Sequence, residues 1–367
     1  MRKRYVLLLC LLTLVLSTGL GTTAGYLVTS RSVFVTQPQL YPNIDDSSED
    51  DSNETQIAPD EQKYTVADIA RKCTKSVVSV TIENVEKGYN GGSSYTKTVT
   101  SYGTGVIVRE NGLIVTCYHV VEGADKITVS LGDQSEYPAT IVGYDDRFDM
   151  AVIKVEATNL PAVELGDSSA INSGEGVVVI GNPLGEFGSS VTAGVLSAPE
   201  RELTIEGTPL RLMQMDAAVN PGNSGGALLN MHGQLIGIVN AKISASGIEG
   251  IAFAIPWNSI SERVESIINS GNTGKRPVLG VSTQTAVCYL NGEKIECVKI
   301  ISIHSKSAAE EAGLKEDDFL LSIDGKPLKK NDDLVLSIKY HNPGDKVVFQ
   351  VVRNGERIEI TVVLDEG

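Results

Sequence analysis

Between residues 76 and 256 one pattern keeps returning: a short apolar run, then a break. The runs read "SVVSVTI", "YGTGVIV", "LIVTCY", "KITVSL", "ATIVGY", "MAVIKV", "GVVVIG", "SVTAGVLSA", "ALLN", "QLIGIVNA" and "GIAFAIP". Each is four to nine residues long and bounded by Gly, Pro, Asn or Asp. Runs of that length are too short for stable helices, and breaks at this spacing fit a barrel or sandwich of antiparallel strands. The 36 glycines and 5% aromatic content agree with a turn-rich, mainly β chain. Two stretches depart from the pattern. "YTVADIARKCTK" opens on a capping-box-like Thr65-x-x-Asp68, and "WNSISERVESIINSG" sets Ile260, Val264, Ile267 and Ile268 on one helical face before Gly271.

After "GNTGKRP", a linker by composition, a second and smaller unit begins near Val278. It carries strand-like runs at "VLGVSTQ", "VKIISI", "DFLLSIDG", "KVVFQVVRNG" and "RIEITVVL", with short helices expected at "SAAEEAG" and "DDLVLSIKYH". The N-terminus differs from both units. Three basic residues precede an uncharged stretch from Tyr5 to Ser30, and a bilayer span needs about 20 apolar residues. A membrane anchor with a cytoplasmic tip is expected over 1–30, cleavage after Ala24 being the alternative. Residues 31–62, including "NIDDSSEDDSNETQIAPDEQ", are acidic and nearly free of large apolar side chains, the composition of a flexible tether. The expected division is thus 1–30, 31–62, 63–272 and 273–367. A net charge of −15 argues against nucleic-acid binding, which needs a basic face.

"DAAVNPGNSGGALLN" crowds Ser224 with Pro221, Gly222, Gly225 and Gly226. A tight turn explains that composition, and so does a nucleophile, which needs an exposed hydroxyl and backbone N–H groups aimed at a developing oxyanion. Among four histidines, His119 ends the apolar run "LIVTCY" and opens "HVVEGAD". Asp149 heads the run "MAVIKV", whereas Asp145 and Asp146 read as turn carboxylates whose loss does little. His, Asp, Ser is the chain order of chymotrypsin-like enzymes on a double β-barrel. In that chemistry Ser224 attacks a carbonyl, His119 carries the proton, and Asp149 holds the imidazole tautomer. Backbone N–H groups of Gly222, Asn223 and Ser224 are expected to line the oxyanion hole. "GTG" at Gly103–Gly105 lacks the lysine of a phosphate loop, and no cluster has metal-ligand spacing.

In order along residues 64–272, "GTGVIV", "LIVTCYHVVEGAD", "DDRFDMAVIKV", "VVVIGNPLG", "VTAGVLSA", "MDAAVNPGNSGGALLN", "QLIGIVNAKI" and "GIAFAIP" resemble the HtrA/Deg family of extracytoplasmic serine proteases. "VLGV", "SAAEEAGLKEDDFLLSIDGKPL" and "NPGDKVVFQVVRNGE" resemble its C-terminal PDZ domain. The resemblance implies a chymotrypsin-like double barrel followed by one PDZ domain, and His119, Asp149 and Ser224 as triad. It further implies homotrimers, no cofactor, misfolded or exposed polypeptides as substrates, and a primary pocket partly lined by Ala241 and Lys242. Leu279, Gly280 and Val281 match the PDZ loop that receives a peptide's C-terminal carboxylate. An ATP-independent endopeptidase is the expected function, and a holdase or PDZ receptor with little proteolysis is the alternative. The sequence departs from the family at Cys117-Tyr118, where asparagines are usual, and in the short segment "EKGYNGGSSYTKTVT", which argues against cage-like higher assembly. Cys117 reads as a buried apolar thiol or as a redox partner for Cys73.

"VCYLNGEKIEC" poses a question of register. A two-residue Asn291-Gly292 turn sets Cys288 opposite Ile295; a four-residue loop sets it opposite Cys297. The second register, with a disulfide clamping a hairpin at the edge of the PDZ groove, is the hypothesis drawn here; two reduced thiols are the alternative.

Overall fold

The computed structural model describes residues 64–90, 93–182, 189–205, 207–243 and 250–367. The expected anchor over 1–30 and the tether over 31–62 lie outside the described residues. Helix α1 (Val66–Cys73) starts on the expected capping box, Thr65 accepting from the Asp68 N–H and the Asp68 carboxylate accepting from the Thr65 N–H. A six-stranded closed barrel follows, built from β1 (Val77–Asn90), β2 (Ser93–Arg109), β3 (Leu113–Thr116), β4 (Lys126–Ser130), β5 (Glu136–Asp145) and β6 (Met150–Val155). Its strand order is β1-β2-β3-β6-β5-β4. Helix α2 (Tyr118–Val121) interrupts it after β3.

The second sheet contains β7 (Glu164–Leu165), β8 (Gly176–Gly181), β9 (Ser190–Ile205), β10 (Thr208–Met215), β11 (Ala227–Asn230), β12 (Gln234–Asn240) and β13 (Ala252–Pro256). Its order is β11-β8-β9-β10-β13-β12-β7, and an extra β11–β12 pairing closes the ring. The apolar runs therefore become strands whose side chains fill two barrel interiors. Helix α3 (Trp257–Ser270) lays the buried Ile260, Val264 and Ile267 on a core that both barrels contribute to and ends where Gly271 takes φ 74°.

The smaller unit pairs β14 (Pro277–Val278) with β21 (Asp365–Glu366). Its main sheet runs β15 (Val281–Leu290), β16 (Glu293–Ile303), β17 (Phe319–Ile323), β19 (Lys346–Arg353), β20 (Glu356–Val363), with β18 (Lys326–Pro327) beside β17. The two expected helices are α4 (Ala308–Glu311) and α5 (Asn331–Lys339). The architecture is thus mainly β: a trypsin-like double barrel and a PDZ domain.

The hairpin hypothesis is corrected. Asn291 and Gly292 both take positive φ, 53° and 85°, as a two-residue type I′ turn requires. That turn matches the right-handed strand twist, so it sets the register: Leu290 faces Glu293, Cys288 faces Ile295, and Cys297 faces Ala286. The cysteines are diagonal neighbours, both free and both buried against Leu321 and Val352. Burial and the Cys288 thiol push Cys297 up to about 12. Cys73 and Cys117 are not redox partners either. The Cys73 thiol donates to Gly233 O at 3.3 Å and the Cys117 thiol to Val239 O at 3.4 Å.

Candidate active site

Asp149 sits where a 3₁₀ turn (Asp146–Phe148) hands over to β6, with φ 51° and ψ 45°. Few residues other than glycine adopt that region, although aspartate is among those that do. Its carboxylate then collects donors. Oδ2 lies 2.6 Å from His119 Nδ1 and accepts from Asn240 Nδ2 at 2.8 Å, while Oδ1 accepts the His119 N–H at 2.9 Å. The Tyr118 N–H donates to the Asp149 carbonyl at 3.1 Å, tying α2 to the turn. The histidine is thus held by both its backbone and its ring. The side chains of His119 and Asp149 are only 20% and 15% exposed, so solvent screens the pair weakly.

Ser224 is reached from the second barrel. Its Oγ accepts the Ala241 N–H at 3.1 Å. Its carbonyl accepts the Thr104 N–H at 2.9 Å, and the Thr104 hydroxyl donates to the Gly222 carbonyl at 2.7 Å. The "GTG" run therefore buttresses the serine loop from the first barrel. Gly225 is required beside the serine. It has φ 84°, and a Cβ there would lie 2.0 Å from the Thr104 carbonyl oxygen. Of the three expected oxyanion donors, Asn223 has its N–H engaged with the Asn220 carbonyl at 3.0 Å. The Gly222 and Ser224 N–H groups meet no acceptor among the described residues.

His119, Gly222, Ser224, Ala241 and Lys242 line one cavity of about 300 Å³ with Ser101, Tyr102, Val120 and Pro221. Leu279, Gly280 and Val281 are not brought there. They line a separate groove of about 630 Å³ with Leu334, Val335 and Ile338 of α5 and with Arg147, Thr208 and Pro209 of the barrel unit. Gly280 has φ 75°, and a Cβ would meet Ser307 at 2.3 Å, so the loop needs glycine. Cys117 Sγ and ligand-type atoms of His119 and Asp149 lie within 4.8 Å of one another. Burial holds the Cys117 thiol well above its ordinary range.

Comparisons with known proteins supply the affiliation. Residues 103–238 match the trypsin-like peptidase domain and residues 277–364 the PDZ domain. The serine protease Do-like HtrB of Bacillus subtilis is 34% identical over 333 residues, covering 84% of this chain and 72% of that protein. The chain belongs to the HtrA family. Another relative of this HtrA chain is a probable periplasmic serine endoprotease DegP-like of Chlamydia muridarum, 42% identical over 270 residues. That match covers 72% of this chain, which spans about half (54%) of the Chlamydia protein's length. Among solved structures, the HtrA-type protease AlgW with decapeptide superposes with TM-score 0.66 at 30% identity, covering 83% of this chain and 99% of that one.

Sequence reading missed one residue of the candidate site. Asn240 is 2% exposed, donates to Asp149, and accepts the Lys242 N–H through Oδ1 at 3.1 Å. One amide therefore ties the pocket turn to the carboxylate. Its position just before the pocket segment "AKI" was the available signal, but its partner lies 91 residues away.

Proposed function

We propose that this chain is an ATP-independent serine endopeptidase acting outside the cytoplasm on misfolded or exposed polypeptides. The observation that carries the reading is that His119 and Ser224 line one cavity between the two barrels while Asp149 holds the His119 ring from behind at 2.6 Å. Ser224 Oγ attacks the scissile carbonyl as His119 takes its proton; the resulting tetrahedral intermediate collapses as the imidazolium protonates the leaving amine. Asp149 keeps Nδ1 as the protonated nitrogen and stabilises the imidazolium, and Asn240 keeps the carboxylate in place. The Gly222 and Ser224 N–H groups receive the oxyanion. Water then repeats the sequence on the acyl-enzyme. Ala241 and Lys242 border the primary pocket, where small or medium aliphatic residues are the expected fit.

The groove at Leu279–Val281 receives peptide C-termini, the chain end adding beside β15. By family affiliation the protein is a homotrimer, and residues 1–30 anchor it with both domains on the extracytoplasmic side. A Ser224→Ala variant tests the central claim. Loss of casein digestion and of fluorophosphonate labelling, with the fold retained, supports the endopeptidase. Unchanged turnover names another nucleophile, and an unlabelled wild type favours a PDZ receptor or holdase.

A further inference from the structure

Lys339, the last residue of α5, is 6% exposed. Lysine is almost never buried to that degree without partners. Its partners belong to the barrel unit. Its Nζ donates to the carbonyls of Arg147 and, at 2.9 Å, Pro209, and stands 4.6 Å from the Phe148 ring centroid. Tyr340 meets Phe148 edge-on at 5.1 Å and accepts the Arg211 N–H at 3.0 Å. Arg263 of α3 lies over Phe148 at 4.2 Å and donates to the Lys339 carbonyl at 3.2 Å. Asp145, fully buried, is the carboxylate of this socket, held by Arg147 at 2.8 Å.

The contacts to Arg147 and Phe148 grip the Asp146–Phe148 turn, those to Pro209, Arg211 and Arg263 anchor Lys339 and Tyr340 beside it, and the next residue is Asp149. Asp149 closes that turn weakly, its N–H reaching the Asp146 carbonyl at 3.3 Å, and its φ of 51° lies in a sparsely populated region. Such a conformation persists only where the surroundings over-determine it. Here part of those surroundings comes from the other domain. Arg147, whose carbonyl Lys339 holds, is two residues from Asp149; Phe148, whose ring Lys339 and Tyr340 cover, is adjacent.

We propose that Lys339 is a positioning residue for the catalytic acid, so that the PDZ domain completes the active site of the barrel domain. The inference rests on Asp149 being the acid of the triad. It makes the interdomain contact a requirement for turnover, the opposite of a restraint on it. Losing that donor leaves the turn free to rotate Asp149, and His119 with it. A displacement of about 1 Å at a reacting group can cost about 100-fold.

The test uses full-length protein and a double-mutant cycle. Lys339→Met keeps the apolar stem and removes the donor. Trp257, the single tryptophan, is 4% exposed and reports by its fluorescence whether the barrel unit is folded. The expected result is a fall in kcat of about 10- to 100-fold with KM unchanged, and no further fall when Lys339→Met is added to Asp149→Asn. Lys339→Arg, which retains donors, recovers part of the loss. Unchanged or raised kcat in a folded Lys339→Met protein overturns the proposal, and so does an equal loss in both backgrounds. A fully active Asp149→Asn protein overturns the triad assignment instead, which separates the two failures.

Discussion

Asp145 and Asp149 stand at the two ends of one short turn, and the protein uses them in opposite ways. Asp145 is fully buried, accepts the Arg147 N–H at 3.1 Å, and takes two further bonds from the Arg147 side chain at 3.0 and 2.8 Å, with Arg263 3.9 Å away. Asp149 lies behind His119 with its side chain 15% exposed, and its partners are an imidazole, an amide and one backbone N–H. The first carboxylate faces permanent cations and has no proton to manage. The second faces a ring whose charge, in the proposed mechanism, must change during turnover. The same side chain is a structural counter-ion in one place and, in the proposed mechanism, the orienter of a proton carrier in the other, and the choice is made by what the fold packs against it.

The comparison is broken most severely by Asp149→Asn. Turnover is expected to fall by about 10⁴-fold as the imidazole takes the wrong tautomer, with little change in Tm; steady-state kinetics and thermal melts read both. Asp145→Asn reverses the pattern. The sequence reading expected little from it, but the buried position corrects that. Removing one partner of a buried ion pair costs about 3–5 kcal/mol, so denaturant unfolding should reveal a large loss of stability. A Tm equal to wild type would show that solvent reaches the socket.

A smaller effect sharpens the contrast. Asn240→Ala removes one hydrogen bond to a carboxylate, an interaction of about 1.5–3 kcal/mol. A drop in kcat of about 10- to 100-fold is expected, with KM moving less. A loss confined to KM would assign Asn240 to the pocket alone.

The gentlest test is one of pH. Burial among Arg147 and Arg263 pushes Lys339 down to about 7 from its ordinary 10.5, the desolvation outweighing the attraction of Asp145. Between those values the unfolded chain binds a proton that the folded chain does not, so stability rises with pH across that window. The rise is at most about 1.4 kcal/mol per pH unit. Chemical denaturation at pH 7 and pH 9 should show it in wild type and not in Lys339→Met. A parallel slope in both proteins would locate the proton elsewhere.

Much of this was legible locally. Alternation, turn residues and short apolar runs read out strand after strand, because each depends on neighbours within a few residues. The serine loop was legible for the same reason: a glycine-flanked serine is a local backbone requirement, met here at Gly225. The hairpin register could be written two ways, and the left-handed pair Asn291-Gly292 chose between them.

What the sequence by itself determined is the set of elements, their order, and the residue types from which a His-Asp-Ser site is built. Tertiary structure alone decided which polar groups are buried together. Asn240 meets Asp149 across 91 residues, and Lys339 meets Arg147 across 192. Neither pairing leaves a periodic trace in the chain. A buried lysine is written with the same letter as a solvated one, and only the fold's choice of neighbours sets the desolvation that separates them.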